Sequence, residues 1–147
     1  MLKKDIFKKT ISIIILFTLL ACQNSNIKLN NLLEDGYYTS KEEVSLYLVT
    51  YHRLPNNYIT KDEAEELGWD NDKGNLWDVT DKMSIGGDRF YNREGLLPKD
   101  NEIIYYECDI DYEGGFRNAK RIVYSSKWAV YYTDNHYDSF ELLYEGE

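Results

Sequence analysis

The sequence predicts an α+β fold, with N-terminal helices packed on one face of a C-terminal antiparallel β-sheet. Three observations predict it. Capping boxes, in which Ser or Thr is followed by Glu at the third helical position, open two helices in the first half of the chain. Residues 103–112 alternate in polarity, as in a strand that buries one face. Further strand-like runs follow, and helices followed by a succession of strands are typical of the α+β class.

Three helices are predicted in the first half. The two capping boxes are Ser40 with Glu43 and Thr60 with Glu63. The first helix carries an apolar stripe that includes Val44 and Leu48, one turn apart, as expected for a helix with one buried side. The second helix is predicted to stop at Gly68, since glycine commonly ends helices. A third short helix is predicted over 75–80, with Asn75 as its N-cap.

The second half is predicted to form the sheet. The strand-like runs are 83–90, 103–112, 121–125, 127–133 and 139–144. Gly86 and Gly87 in the first of them predict a β-bulge or a close approach of two backbones. In 103–112, Glu107 and Asp109 share a parity with Tyr105, and the other parity is apolar. We therefore expect one buried face and one carboxylate-bearing face on this strand.

The first 21 residues are predicted to be a secretory signal peptide. Lysines precede a short apolar run at 11–21, which is the order of a charged n-region and an h-region. At about 1.5 Å per residue, this run is too short to cross a hydrocarbon core of about 30 Å as a helix.

The sequence LLAC at 19–22 resembles a bacterial lipoprotein cleavage box. The resemblance implies that Cys22 becomes a lipidated N-terminus and the only attachment to a membrane. The alternative is an ordinary signal peptide in which Cys22 is incidental. Residues 22–36 are interpreted as a polar tether and 37–147 as one domain. The protein is expected to be exported to the cell envelope or the extracellular space.

The chain is acidic, with a net charge of −9. The leader holds four lysines and one aspartate, so its removal makes the net charge −12. This charge argues against non-specific binding to nucleic acid, and an RNA site would have to be a local basic patch. Cys108 has no partner once Cys22 is assigned to the leader, so it is interpreted as a small buried hydrophobe. The two cysteines form neither a disulfide framework nor a zinc motif.

The predicted sheet would bring together the residue types of a metal-free phosphodiesterase site. These residues are Glu107, Arg117, Arg121 and His136. Taken alone, the pattern indicates only acid–base chemistry on an anionic substrate. The alternatives are a solvated Glu107, arginines that pair with Asp109 and Asp111, and an inert loop histidine.

Residues 51–140 resemble the barnase family of small secreted microbial ribonucleases. The motifs are YHRLP at 51–55, NYITK at 57–61, LGW at 67–69, KGNL at 73–76, SIGGD at 84–88, NREG at 92–95, GFRN at 115–118, RI at 121–122, YSS at 124–126 and HY at 136–137. The resemblance implies a microbial ribonuclease fold. It also implies cleavage of single-stranded RNA 3′ of guanosine, through a 2′,3′-cyclic phosphate that is then hydrolysed, without a metal or cofactor.

The resemblance also implies the roles of individual residues. Glu107 falls on the general base and His136 on the general acid. The residues that steady the scissile phosphate are Lys61, Arg117 and Arg121. The residues that fall on guanine reading or flank the base are Phe90, Tyr91, Asn92, Arg93, Glu94 and Tyr137. Asp109 is expected to hold the arginines in place.

The resemblance further implies an intracellular inhibitor of the barstar type and a monomeric enzyme. The residues expected to face that inhibitor are Lys61, Arg93, Arg117, Arg121 and His136. The chain departs from the family in its acidity, in Tyr91 where barnase has Ser, and in Ile103 and Lys127, which replace an Arg–Asp pair. The alternative function is a non-catalytic surface lipoprotein that uses the ribonuclease scaffold to bind RNA or protein.

Overall fold

The computed structural model describes residues 32–147. The signal peptide, Cys22 and most of the tether lie outside the described residues, so these predictions stay predictions. The chain divides into two units after Leu33, and the fold described below is that of the second unit, Glu34–Glu147. Across residues 32–147, no helix has the length and apolar character needed to cross a bilayer.

The second unit has the predicted α+β fold. Its elements, in chain order, are α1 (Lys41–Tyr51), β1 (Tyr58–Ile59), α2 (Lys61–Glu66), α3 (Leu76–Val79), β2 (Ser84–Phe90), β3 (Tyr105–Asp109), β4 (Arg121–Ser125), β5 (Val130–Thr133) and β6 (Glu141–Tyr144). The strands lie side by side in sequence order, and neighbouring strands from β2 to β6 are antiparallel. The two-residue β1 pairs with β2 in parallel. The predicted C-terminal antiparallel sheet is therefore confirmed, and β1 adds a parallel strand at its edge that the sequence analysis did not predict.

Local signals place the helix starts well. At α2 the capping box is complete, because Thr60 caps the Glu63 N–H and the Glu63 carboxylate accepts from the Thr60 N–H. At α1, Ser40 caps the Glu43 N–H and donates its hydroxyl hydrogen to the Glu43 carboxylate at 2.6 Å. Asn75 is the N-cap residue of α3, as predicted, although its side chain makes no capping hydrogen bond. Its amide instead bonds the backbone of 68 and 70.

Both faces of the sheet are covered. On the α1 side, Val44 and Leu48 pack with Cys108 and residues from neighbouring strands, and Cys108 is buried as predicted. On the other side, a second cluster of Leu97, Tyr105 and Val123 is flanked by aromatic side chains.

The carboxylate-bearing face of β3 is therefore buried as well. Glu107 is 7% exposed and Asp109 is 1% exposed. The alternative interpretation of Glu107 as a solvated surface residue is wrong.

The predicted bulge lies in β2. The register between β2 and β3 shifts between Gly86 and Asp88, and Gly87 has a φ of +96°, a left-handed conformation that glycine adopts without strain. The shift places Asp88 directly opposite Glu107.

A Gly86→Ala substitution is expected to destabilise this bulge. Its Cβ would lie 2.6 Å from the Cys108 Cβ and 2.7 Å from a Tyr58 ring carbon, and overpacking of this kind costs about 2–3 kcal/mol. Urea denaturation would measure the loss in free energy of unfolding. Gly115→Ala is the control, because Gly115 has open space around it at a φ of +71°, so only backbone strain of about 1 kcal/mol is expected. A loss at Gly86 no larger than the loss at Gly115 would contradict the clash.

Candidate active site

The sequence-predicted site residues lie together in one cleft of about 490 Å³. Those lining it are Lys61, Phe90, Tyr91, Asn92, Arg93, Glu94, Glu107, Arg117, Arg121, His136 and Tyr137. Three further residues, Arg89, Leu96 and Phe140, also line the cleft. The cleft therefore draws on α2, the strands β2, β3 and β4, and the loop between β5 and β6.

Glu107 forms the floor of the cleft with a donor on each carboxylate oxygen. The Lys61 ammonium group donates to Oε1 at 2.9 Å, and the Tyr137 hydroxyl donates to Oε2 at 2.5 Å. Lys61 is itself positioned by the fold, because its backbone N–H, at the first position of α2, donates to the Asp88 carboxylate at 3.1 Å. Glu107 is thus a buried carboxylate held in a fixed orientation.

Tyr137 is a neutral donor in this arrangement. Burial, and then its hydrogen bond to the Glu107 carboxylate, raise the pKa of Tyr137 far above the ordinary value for tyrosine. Its ring packs 5.2 Å from the Phe90 ring and 4.9 Å from the His136 ring, measured between centroids. The hydroxyl therefore stays protonated across the physiological pH range and fixes the position of Glu107.

Two arginines are anchored beside this floor by the buried Asp109. Arg117 binds Asp109 with two hydrogen bonds, of 2.7 and 2.6 Å. The Arg121 Nε lies 3.0 Å from the same carboxylate. Burial lowers the pKa of Arg117, but the hydrogen bonds to Asp109 offset this, so that the pKa is raised overall. The sequence left open that the two arginines pair with Asp109 and Asp111. They pair with Asp109, whereas Asp111 pairs with Lys120.

Arg121 is held in two ways. Its Nη1 donates to the backbone carbonyls of Asn118 and Lys120 at 2.7 and 2.6 Å. Its Nε contacts Asp109 as an ion pair without hydrogen-bond geometry, and it is the one buried side-chain polar atom of the described residues that makes no hydrogen bond. The guanidinium is therefore fixed in orientation by two backbone carbonyls and the Asp109 carboxylate.

A tight loop presents His136 at the cleft. His136 and Tyr137 both have positive φ, at 57° and 73°. The Thr133 hydroxyl accepts from the Tyr137 N–H and donates to the Asn135 amide oxygen, and the His136 N–H donates to the Ala119 carbonyl at 3.2 Å. These bonds fix the loop backbone and leave the imidazole exposed.

The loop after β2 forms the other end of the cleft. Asn92 closes it, because its amide donates to the Leu97 carbonyl and accepts from the Leu97 N–H. Within residues 32–147, no backbone or side-chain acceptor takes the N–H of Arg93 or Glu94. These two donors are therefore free to bind a ligand, whereas the Asn92 side chain is committed to the fold.

The cleft is a basic patch on an acidic chain, as expected for an RNA site. Its basic residues are Lys61, Arg89, Arg93, Arg117 and Arg121, against the carboxylates Glu94 and Glu107. In the described part of the chain, no three His, Cys, Asp or Glu side chains are grouped to hold a metal ion.

The three lining residues that the sequence analysis missed carried weak signals. Arg89 occupies a position between Asp88 and Phe90 that looks like ordinary strand surface. Phe140 packs edge-on to Phe90, 6.0 Å between centroids, a contact across the sheet that no local pattern reveals. Leu96 is 54% exposed and could have been noticed only as an apolar residue in a polar turn.

Sequence comparison with known proteins relates the chain to one family. The sequence model of the ribonuclease family matches residues 41–144. A ribonuclease of Heyndrickxia coagulans is 55% identical over 97 residues, which are 66% of this chain and 89% of the relative. A ribonuclease of Bacillus intermedius is 55% identical over 97 residues, again 66% of this chain, but only 60% of that relative's length is covered.

A more distant relative carries a base specificity in its name. The guanyl-specific ribonuclease St of Saccharopolyspora erythraea is 40% identical over 57 residues, which are 38% of this chain and 56% of the relative. The family match, in contrast, spans nearly the whole of the second unit, including the cleft. This chain belongs to the ribonuclease family.

Proposed function

We propose that the protein is an endoribonuclease that cleaves single-stranded RNA 3′ of guanosine. The observation that carries the proposal is the buried Glu107, held between Lys61 and Tyr137 on the floor of a basic cleft that His136 also lines. Family membership supports RNA as the substrate.

The proposed first step is a transphosphorylation in which the RNA supplies its own nucleophile. Glu107 accepts the proton of the ribose 2′-OH, and the 2′ oxygen attacks the adjacent phosphorus. The bond from phosphorus to the 5′ oxygen breaks, and His136 donates a proton to that leaving oxygen. The products are a 2′,3′-cyclic phosphate and a free 5′-OH. Water then opens the cyclic phosphate with the two roles exchanged.

Lys61, Arg117 and Arg121 are proposed to stabilise the charge that develops on the phosphoryl oxygens. Charge-assisted hydrogen bonds are short and strong, and donors fixed before the reaction stabilise the transition state without reorganising. The anchoring of both arginines on Asp109 supports this role, because their orientation is set by the fold before RNA binds.

The loop after β2 is proposed to read the guanine. The Glu94 carboxylate can accept from the guanine N1–H and N2–H, and the unpaired N–H groups of Arg93 and Glu94 can donate to O6. The Phe90 and Tyr137 rings provide apolar faces beside the base, and stacking on aromatic rings suits single-stranded RNA. The relative named guanyl-specific supports this base preference.

The test is an assay on a short RNA with a single guanosine, in EDTA, from pH 4 to 9. We expect cleavage only 3′ of the guanosine, a cyclic-phosphate product, and a bell-shaped pH profile, because one group must be deprotonated and the other protonated. The same oligonucleotide with 2′-deoxyguanosine is the control and is expected to be inert. Absence of cleavage by the folded protein would refute the proposal and favour a binding-only role.

The residues expected to face a barstar-type inhibitor all line this cleft. That inhibitor, the monomeric state and export stay predictions. Inhibition of the cleavage reaction by barstar would test the first of them.

A further inference from the structure

Three residues at and just after the end of β2 form an exposed cationic platform. The proposed reaction assigns no joint role to these three side chains. The guanidinium of Arg89 lies 5.2 Å from the Tyr91 ring centroid, and that of Arg93 lies 5.7 Å from it. Tyr91 is 65% exposed. We call Arg89, Tyr91 and Arg93 the Arg–Tyr–Arg platform. Among residues 32–147, neither arginine of this platform forms an ion pair or a side-chain hydrogen bond, in contrast to the two arginines on Asp109.

The platform lies between the cleft and a second cavity of about 260 Å³. This second cavity shares residues 89–92 with the cleft and is lined on its far side by Lys99 and Asp100, among others. At the opposite end, a third cavity of about 310 Å³ shares Arg117, Arg121 and His136 with the cleft. The cleft is thus continued at its loop end by the second cavity and at its catalytic end by the third.

We propose that the Arg–Tyr–Arg platform and the second cavity bind the nucleotide on the 5′ side of the cleaved guanosine. This inference rests on the proposed function, which sets the direction of the RNA. The scissile phosphate is 3′ of the guanosine, so the 3′ part of the strand leaves at the catalytic end. We infer that the 5′ part runs away from the catalytic end and over the platform, which adjoins the guanosine site and continues into the second cavity.

The chemistry of the platform fits a nucleotide. Aromatic rings and guanidinium planes both stack on unpaired bases, and a guanidinium without a carboxylate partner binds a phosphate. Arg89 can supply both a stacking plane and a phosphate-binding group, on a chain whose net charge is −9. The phosphate that joins the two nucleotides would lie near Arg89, and the 5′ base would stack on the platform.

The alternative is that the platform is only a structural cation–π cluster. Exposed contacts of this kind contribute little to stability. In that case the removal of Arg89 would not change how the length of the RNA affects binding or cleavage.

The experiment compares three substrates: GpA, ApGpA, and the trinucleotide in which the 5′ nucleotide is abasic. For the wild type we expect kcat/KM for ApGpA to exceed that for GpA by about fivefold to tenfold, since one stacked base is worth roughly this much or more. The abasic trinucleotide should show only that part of the gain in kcat/KM which comes from the additional phosphate. The plot of log kcat/KM against log salt should be steeper by about 0.7 for the trinucleotides, as expected for one more phosphate contact.

The variant is Arg89→Gln, and its matched control is Lys82→Gln. Lys82 is also an exposed cation over an aromatic ring, 5.8 Å from the Trp77 centroid, and it lines neither the cleft nor the second cavity. Arg89→Gln is expected to lower kcat/KM for ApGpA much more than for GpA, so that most of the gain from the 5′ nucleotide and the added salt dependence are lost. Lys82→Gln should keep both.

A binding measurement keeps this inference separate from the proposed function. Calorimetric titration with the 2′-deoxyguanosine forms of the same oligonucleotides needs no cleavage and should show the same gain in affinity, lost in Arg89→Gln. If the wild type cleaves neither substrate, the proposed function fails and the titration still decides the subsite. An equal affinity for the two lengths, or a gain that Arg89→Gln retains, would overturn the inference.

Discussion

A His136→Asn variant is expected to cleave single-guanosine RNA about 10²- to 10⁴-fold more slowly than the wild type, which is the usual contribution of one general acid. Asparagine cannot donate a proton to the 5′ oxygen, but it tolerates the left-handed backbone that His136 adopts at a φ of 57°. No side-chain hydrogen bond of His136 is lost, since within residues 32–147 its imidazole only contacts the Tyr137 ring. The measurement is kcat/KM as a function of pH, and the limb of the profile that reports the acid should disappear.

His52→Asn is the matched control for this variant. His52 is the other histidine of the chain and also has a positive φ, of 52°. It ends α1, where its ring stacks 4.6 Å from the Trp128 ring, between centroids, and it does not line the cleft. The control is expected to retain wild-type kcat/KM. Activity of His136→Asn within a few-fold of the wild type would contradict the role assigned to His136.

An Asp109→Asn variant is expected to lose about 3–5 kcal/mol of the free energy of unfolding, the usual cost of removing one partner of a buried ion pair. The substitution keeps the shape of the side chain but leaves Arg117 and Arg121, whose side chains are 16% and 4% exposed, without their shared counter-charge. Urea denaturation at pH 7 would measure the loss. Activity should fall as well, because the two guanidiniums lose the carboxylate that orients them.

Asp111→Asn provides the comparison on the same stretch of chain. Asp111 pairs with Lys120 at 2.7 Å, but both side chains are about two-fifths exposed, at 40% and 43%. Solvent-exposed pairs of this kind contribute little to stability, and asparagine suits the positive φ of this residue, so only a small loss is expected. Similar losses for the two variants would show that burial of Asp109 does not have the stated effect. If Asp109→Asn is already unfolded without urea, the substitution costs at least the whole free energy of unfolding of the wild type, which agrees with a large effect.

The parts of the fold that were predictable are those fixed by short-range chemistry. Thr60 and Glu63 form the predicted capping box, and the bulge falls at the predicted Gly86 and Gly87. In contrast, β1 is only two residues long and exists through its parallel pairing with β2. No alternation can be recognised over two residues, so this strand was missed. Asn75 is at the predicted N-cap of α3, but its side chain bonds the preceding loop instead of the helix.

Most residues that line the cleft were predictable from the resemblance, but the contacts between them were not. Lys61 and Glu107 are 46 residues apart, and Tyr137 and Glu107 are 30 residues apart. Alternation in β3 indicated that Glu107 and Asp109 share a face, yet it could not show that other parts of the chain bury that face. The Arg–Tyr–Arg platform was missed for a related reason: Arg89 looks like surface until the Tyr91 ring is placed beside it.

Under the proposed function, the contacts of Glu107 also make ribonuclease activity a measure of folding. Lys61, Glu107 and Tyr137 come from α2, β3 and the loop after β5, which are far apart in the sequence. The Glu107 carboxylate therefore meets its two donors only when all three elements are in their native positions. An unfolded or partly folded chain therefore has no site at all, instead of a weakened one. For this protein, a cleavage assay counts native molecules, and the denaturant dependence of activity should follow that of the whole domain.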